Sequence, residues 1–295
     1  MNGTSHTRRE FLKNALATGA AFYLSAREKL IAGPAQKSRV VLIRDKNVLD
    51  ADGAPNATVL QQMLDEAVAA LCNEKEPMRA WRRLFKATDV VGIKTNEWSY
   101  LRTPPELEAA LKKRIMEAGV SQRNISINDR GIRSDPVFER STALVNARPL
   151  RTHYWAGVGS LIKNYIMFAR FPFTYHGDSC ADLAKIWNFP EVRGKTRLNI
   201  LVMLTPLFHG SGPHHFNRKY VWEYKGMLVG TDPVAVDSTG LRILLAKRRE
   251  FFQEERPLSP PPKHVFLADT RYHLGTADPD KIELVKLGWK DKALI

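Results

Sequence analysis

Cysteine is scarce in this chain: 295 residues hold two, Cys72 and Cys180. Two thiols cannot supply the four thiolates of an ordinary iron–sulfur cluster, which argues against that cofactor. They also exclude a disulfide-stapled scaffold and leave room for one bridge, open only in an oxidising compartment. Cys72 falls in an amphipathic helical stretch and reads as a small core hydrophobe. Long apolar runs are missing too. Beyond the N-terminus nothing approaches the roughly 18 consecutive apolar residues of a membrane span. Recognised nucleic-acid motifs are absent, so no nucleic-acid partner is expected. The glycines match neither a P-loop nor a dinucleotide fingerprint. Ser211 lies in Gly-Ser-Gly, which is not a nucleophile elbow, and no Ser-His-Asp or Cys-His order emerges. There is no internal repeat.

Positive charge is abundant. The formal net charge is +14, and the five basic and two acidic residues of positions 1–35 account for only +3 of it. A surplus of this size favours an anionic small molecule or another acidic partner. At 44% hydrophobic and 26% charged residues, the composition is that of an ordinary globular protein.

The segment Thr7-Arg8-Arg9-Glu10-Phe11-Leu12-Lys13 has the pattern of a twin-arginine (Tat) signal peptide, followed by a mild apolar stretch from Ala15 to Ala26. Residues 1–35 are therefore expected to be a signal that the Tat translocase reads. Residues 36–295 are expected to be a single α/β domain, exported to the periplasm or another extracytoplasmic space. Cleavage after Ala26 or Ala35 and retention as an uncleaved anchor are both left open. Because this route carries folded proteins, a metal ion or an anionic cofactor bound before export is in keeping with it.

Along the domain, Arg39–Ile43 is continuously apolar, as in a sheet covered on both faces. Apolar spacing predicts helices over Thr58–Asn73 and Pro77–Phe85. Val90–Ile93 reads as a strand ending in Lys94-Thr95-Asn96. Thr103-Pro104-Pro105-Glu106 then reads as a helix start with Thr103 as N-cap, and Gly119 as its close. With Ile125–Ile127 this makes a βαβ unit and predicts a mostly parallel sheet flanked by helices. Further on, Asp178 is expected to open a helix through Trp187. Leu198–Leu204 reads as a strand stopped by Pro206, and Val221–Val229 as a small hairpin insertion after a Gly/Pro/His-rich loop. Asp232-Pro233 should start a helix through Ala246. Pro257–Pro262 reads as a stiff linker, with His264–Leu267 as a last strand and Asp280–Leu287 as a short helix.

Several landmarks together resemble one family. They are Val91-Gly92-Ile93-Lys94-Thr95-Asn96, Thr152-His153, Lys163-Asn164, Gly230-Thr231-Asp232-Pro233-Val234-Ala235-Val236-Asp237 and Gly275-Thr276-Ala277-Asp278. This set resembles the family catalogued as domain of unknown function 362 (DUF362), over roughly residues 39–290. The resemblance implies an α/β fold and no established activity. Some relatives carry ferredoxin-like cluster motifs; this chain lacks those cysteines.

The candidate site residues follow from place and chemistry. Lys94 and Asn96 lie at the carboxyl end of a parallel strand, where open α/β sheets bind ligands. Lys163 and Asn164 follow Gly157-Val158-Gly159-Ser160, which could turn backbone N–H groups toward an anion. Asp237 sits on an otherwise apolar helix, and its burial would call for a partner such as Lys94, Lys163 or a metal. His153 is the candidate proton-transfer group. His209, His214 and His215 share one loop and are the candidate metal ligands, although not at a standard zinc spacing. Three readings follow: an anion-binding cleft in an enzyme, a non-catalytic binding or accessory protein using the same cleft, and a metal-dependent enzyme built on the histidine loop.

Overall fold

The computed structural model describes residues 37–210 and 215–295. Residues 1–35, read above as a signal, and His214 lie outside the described residues. Ser38–Ile295 forms one compact unit. Its centre is an eight-stranded sheet: β1 (Ser38–Arg44), β2 (Val91–Lys94), β3 (Ile125–Asn128), β4 (Ala143–His153), β5 (Gly157–Gly159), β6 (Thr196–Leu207), β7 (Gly226–Gly230) and β8 (Ile282–Gly288). The strand order is β3-β2-β4-β6-β7-β1-β8, with β5 paired to the far end of β4. β3, β2, β4 and β6 run parallel. β7 is antiparallel to both neighbours, and β1 and β8 are parallel to each other. The mostly parallel α/β expectation holds.

Five helices of eight residues or more are described: α1 (Ala57–Cys72), α2 (Pro77–Leu84), α3 (Pro105–Glu117), α4 (Pro233–Phe252) and α5 (Lys263–Thr270). On one face of the sheet, Val41, Val145 and Ile200 pack with Leu60 and Leu64 of α1, Trp81 of α2 and Leu107 and Leu111 of α3. On the other face, Val40, Leu150 and Leu201 pack with Val236, Leu241 and Leu244 of α4. A neighbouring cluster there joins Leu144 to Phe138, Tyr165, Trp187 and Ala268. Burial on both faces explains the continuous apolar run of β1. Gly240 lets α4 settle against the sheet, because a Cβ there would lie 2.4 Å from Leu201 Cδ2.

Asp232 caps α4 as expected, accepting from the backbone N–H groups of Val234 (2.9 Å) and Ala235 (3.0 Å). Thr103 does not cap α3. Its hydroxyl accepts from Asn96 N (2.9 Å) and donates to Ala147 O (3.1 Å), tying the loop after β2 to β4. Asp178 opens no regular helix: Asp178, Ser179 and Cys180 all have positive φ, and only short turns lead to Asn188. Pro206 does not stop β6, which runs on to Leu207. Val221–Val229 is one arm of a hairpin whose other arm is β6, joined by the Leu207–Val221 bridge and by the β6–β7 pairing.

The last two elements are exchanged. His264–Leu267 belongs to helix α5, which follows Pro261 and Pro262 and turns His264, Val265 and Ala268 inward at helical spacing. Residues 282–288 form edge strand β8 instead of a helix, in parallel register with β1 from Ser38↔Ile282 to Arg44↔Gly288. Both thiols are free, so the bridge left open by the sequence is not made. Among the described residues, no helix is long and apolar enough to cross a membrane.

Candidate functional site

The chain leaves β2 through α3 on one face, whereas it leaves β4 through β5 and the one-turn helix Leu161–Asn164 on the other. Adjacent parallel strands whose connections depart to opposite faces open a crevice at their carboxyl ends. One polar row crosses the sheet there. Asn128, Lys94, Asn146 and Asn199 stand in register on β3, β2, β4 and β6. Their apolar neighbours Ile127, Ile93, Val145 and Ile200 face the opposite core. Alternation therefore places all four on the α4 side.

Lys94, completely buried, anchors this row. Its Nζ donates to Asp129 Oδ1 at 2.5 Å, to Thr95 O at 2.7 Å and to Asn164 Oδ1 at 3.3 Å. Burial lowers the Lys94 pKa to about 8 against the opposing pull of Asp129. Asp129 is itself buried. Desolvation pushes its carboxyl up, but the Lys94 ammonium and a hydrogen bond from Glu97 N (2.9 Å) outweigh that and hold it low. Amides extend the network: Asn164 Nδ2 donates to Asn146 Oδ1 (2.8 Å), and Asn146 Nδ2 to Asn199 Oδ1 (3.3 Å). Asn199 Nδ2 reaches Thr231 O (3.1 Å).

Asp237 has a partner set different from the one expected. No lysine among the described residues is hydrogen-bonded or ion-paired to it. Its carboxylate accepts from Ser160 Oγ (2.7 Å), Leu161 N (2.9 Å) and Ile162 N (2.9 Å), and so holds the start of the Leu161–Asn164 turn. Full burial raises its pKa to about 6 despite these donors. Asp237 positions the segment that carries Lys163 and Asn164. Asn96 stands apart from the Lys94 contacts, with its backbone bound to Thr103 and its Oδ1 buried without a partner.

Above the amide row the site turns cationic. Arg148 and Arg151 of β4 are each only 4% exposed. Arg148 Nε, Arg151 Nε and Arg151 Nη1 are buried without hydrogen-bond partners. Burial lowers the pKa of both, against the opposing charges of Asp129 and Asp237 for Arg148 and of Asp129 for Arg151. Arg151 lies 4.1 Å from the centroid of Trp98. Lys163, 3% exposed, has its Nζ 3.7 Å from Cys180 Sγ. Burial lowers its pKa to about 8. His264, at the start of α5, is fully buried with both ring nitrogens unpartnered, and burial brings its pKa down to about 3.

His153 ends β4 beside this group. Its Nδ1 accepts from Trp155 N at 3.2 Å, which places the ring proton on Nε2. Burial, with Lys163, Arg151 and Arg148 nearby, drives its pKa far down. The ring is therefore neutral at ordinary pH and suited to hydrogen-bond donation; it is a poor proton acceptor. His153 also lines an open cavity of about 290 Å³ with Thr152, His209, His215, Arg248 and Arg256. His209 is turned toward Arg248, with Nδ1 3.1 Å from Nη1. His215 is exposed. Among the described residues no three His, Cys, Asp or Glu side chains converge as metal ligands.

The structure thus brings together Lys94, Asn164, Lys163 and His153, gives Asp237 a supporting role, leaves Asn96 apart, and sets His209 and His215 around the open cavity beside His153. Sequence reasoning missed Asp129, Asn146, Arg148, Arg151, Asn199 and His264. A signal for two of them was present: Asn146 and Arg148 are two apart in an otherwise apolar run and so share one strand face. No family model, curated protein or solved structure matches this chain.

Proposed function

We propose that this protein binds an anionic small molecule or cofactor at the carboxyl ends of β2 and β4. One observation carries the reading. The guanidinium nitrogens Arg148 Nε, Arg151 Nε and Arg151 Nη1 are buried without partners. Buried polar groups are nearly always satisfied, and an unpaired buried charge is costly. An anion supplies both the missing acceptors and the missing counter-charge. Arg148, Arg151 and Lys163 then hold the ligand. Lys94 and the Asn146–Asn164 amides keep the floor rigid, and His153 donates from Nε2. Because the histidines there are held neutral by burial, the arrangement favours binding over proton abstraction. A non-catalytic binding protein is accordingly the leading form of this proposal.

Membership of the DUF362 family and export through the Tat route belong to the proposal as well, and rest on the sequence motifs given above. The site is tested by melting the protein in sulfate and in chloride at equal ionic strength. A ligand at about 100 times its Kd adds about 2.7 kcal/mol, or roughly 5–10 °C for a chain of this size. Sulfate also stabilises proteins in general, so Arg151→Gln is the control. The excess over chloride should vanish in that variant; an excess unchanged by the substitution contradicts the site. Export is tested by the Arg8→Lys, Arg9→Lys double variant, which should retain the protein in the cytoplasm. Undiminished export would refute that part.

A further inference from the structure

The charge balance of the site narrows its ligand. Four buried side chains there are cationic: Lys94, Arg148, Arg151 and Lys163. The buried carboxylates that face them are Asp129 and Asp237, and the exposed Glu97 also acts on Lys94. Asp129 is committed to Lys94 and to Glu97 N, and Asp237 to Ser160 and two backbone N–H groups. Arg148, Arg151 and Lys163 therefore remain without a carboxylate in contact. Against the two buried carboxylates the four cations leave two positive charges in surplus, which one negative charge only halves and two cancel.

Proximity is a second constraint. A Cβ built on Gly159 would lie 3.0 Å from Arg148 Nη2, 3.5 Å from Arg151 Cγ and 3.5 Å from His153 Cδ2. Arg148 and Arg151 therefore lie side by side against Gly159, and positive charge concentrated in this way matches a compact anion better than an extended one with charges at two ends. Guanidinium forks match the oxygens of a tetrahedral oxyanion, which can accept from several directions at once. His264, fully buried and unpartnered at both nitrogens, faces the charges of Lys163 and Arg148. As a neutral ring it adds a donor without adding charge.

We infer that the site takes a compact, doubly charged tetrahedral oxyanion, a phosphoryl group, held by Arg148, Arg151 and Lys163 with a hydrogen bond from His264. This rests on the anion-site reading above and specifies it. Free phosphate and a phosphate monoester share this chemistry, and the neutral donors suit either.

Isothermal titration calorimetry on the full chain at pH 7 and constant ionic strength tests the inference, with inorganic phosphate, methyl phosphate, sulfate, acetate and succinate as titrants. The expected result is one site per chain for inorganic phosphate or methyl phosphate, with sulfate alongside, at least tenfold tighter than acetate or succinate. Preference for methyl phosphate would identify a monoester as the source, and preference for phosphate the free ion. Arg151→Gln should weaken the tetrahedral anions at least tenfold, and Arg151→Lys should restore part of that. If Arg151→Gln does not fold, His264→Gln is the second variant, with the same direction expected. Acetate or succinate binding as tightly as phosphate overturns this inference and leaves the anion site standing. Absence of heat from every titrant, in protein shown to be folded and free of bound anion, overturns both.

Discussion

Replacing Asp129 by asparagine would leave the Lys94 ammonium buried without its counter-charge. The two side chains are 0% and 6% exposed and 2.5 Å apart. Removing one member of a buried pair typically costs 3–5 kcal/mol, because the survivor is left uncompensated. Two features place this case near the lower end. Lys94 keeps Thr95 O and Asn164 Oδ1 as acceptors, and with a pKa already about 8 it can shed its proton. A loss of about 3 kcal/mol at pH 7 is expected. Urea unfolding reads it directly: with m near 3 kcal/mol/M, the midpoint falls by about 1 M. The Lys94→Met, Asp129→Leu double variant should recover at least half, since apolar replacement of a whole buried pair is often neutral. The pH dependence has a definite sign. Asp129 is held below its ordinary value, so its contribution is present above the unfolded-state pKa and lost as pH falls through the lower folded value. A single variant that loses less than about 1 kcal/mol would refute the account of Lys94 as a buried anchor.

Asp237→Asn turns an amide NH₂ toward at least one of the three donors that Asp237 now accepts, and should cost about 2 kcal/mol. Because burial raises the Asp237 pKa to about 6, its contribution is greatest below its unfolded value and declines as pH rises through 6. The gap in melting temperature between parent and variant should narrow over that range. Lys94 and Lys163 both titrate near 8 in the fold; the unfolded chain binds more protons from there up to their ordinary values, so these groups make stability rise with pH in that window. Over the same window the site loses positive charge, and sulfate, whose own charge is constant there, should bind about tenfold more weakly at pH 9.5 than at pH 7 by calorimetry. Trp98→Ala removes the ring 4.1 Å from Arg151 and should cost about 1 kcal/mol in urea unfolding.

The helices and strands of the first half could be read because each has one dominant signal: a continuous apolar run in β1, a 3.6-residue stripe in α1, a proline start and glycine close in α3. β4 escaped for a physical reason. Asn146, Arg148 and Arg151 interrupt its apolar pattern, and Pro149 suggests a break. Inside the sheet those polar residues are nonetheless buried, with Asn146 hydrogen-bonded to Asn164 and Asn199. Polar side chains within the strand therefore hid it from a reading based on apolar pattern. Lys94, Lys163 and Asn164 were legible from their positions at strand and loop ends, but their partners were not. Asp129 reaches Lys94 from 35 positions away in sequence, and Asp237 meets Ser160 from 77 away. α5 and β8 were exchanged because short apolar runs such as Val265-Phe266-Leu267 suit either element, and only packing against α4 and β1 decides between them.

The central claim is that Arg148, Arg151 and Lys163 are completed by an anion. Native mass spectrometry of the chain, purified without denaturation and in volatile buffer free of phosphate and sulfate, tests this most directly. The account predicts one small anionic adduct per chain, or one regained on adding inorganic phosphate, and its loss in Arg151→Gln. A folded parent chain that carries no adduct and gains none at millimolar phosphate would contradict it.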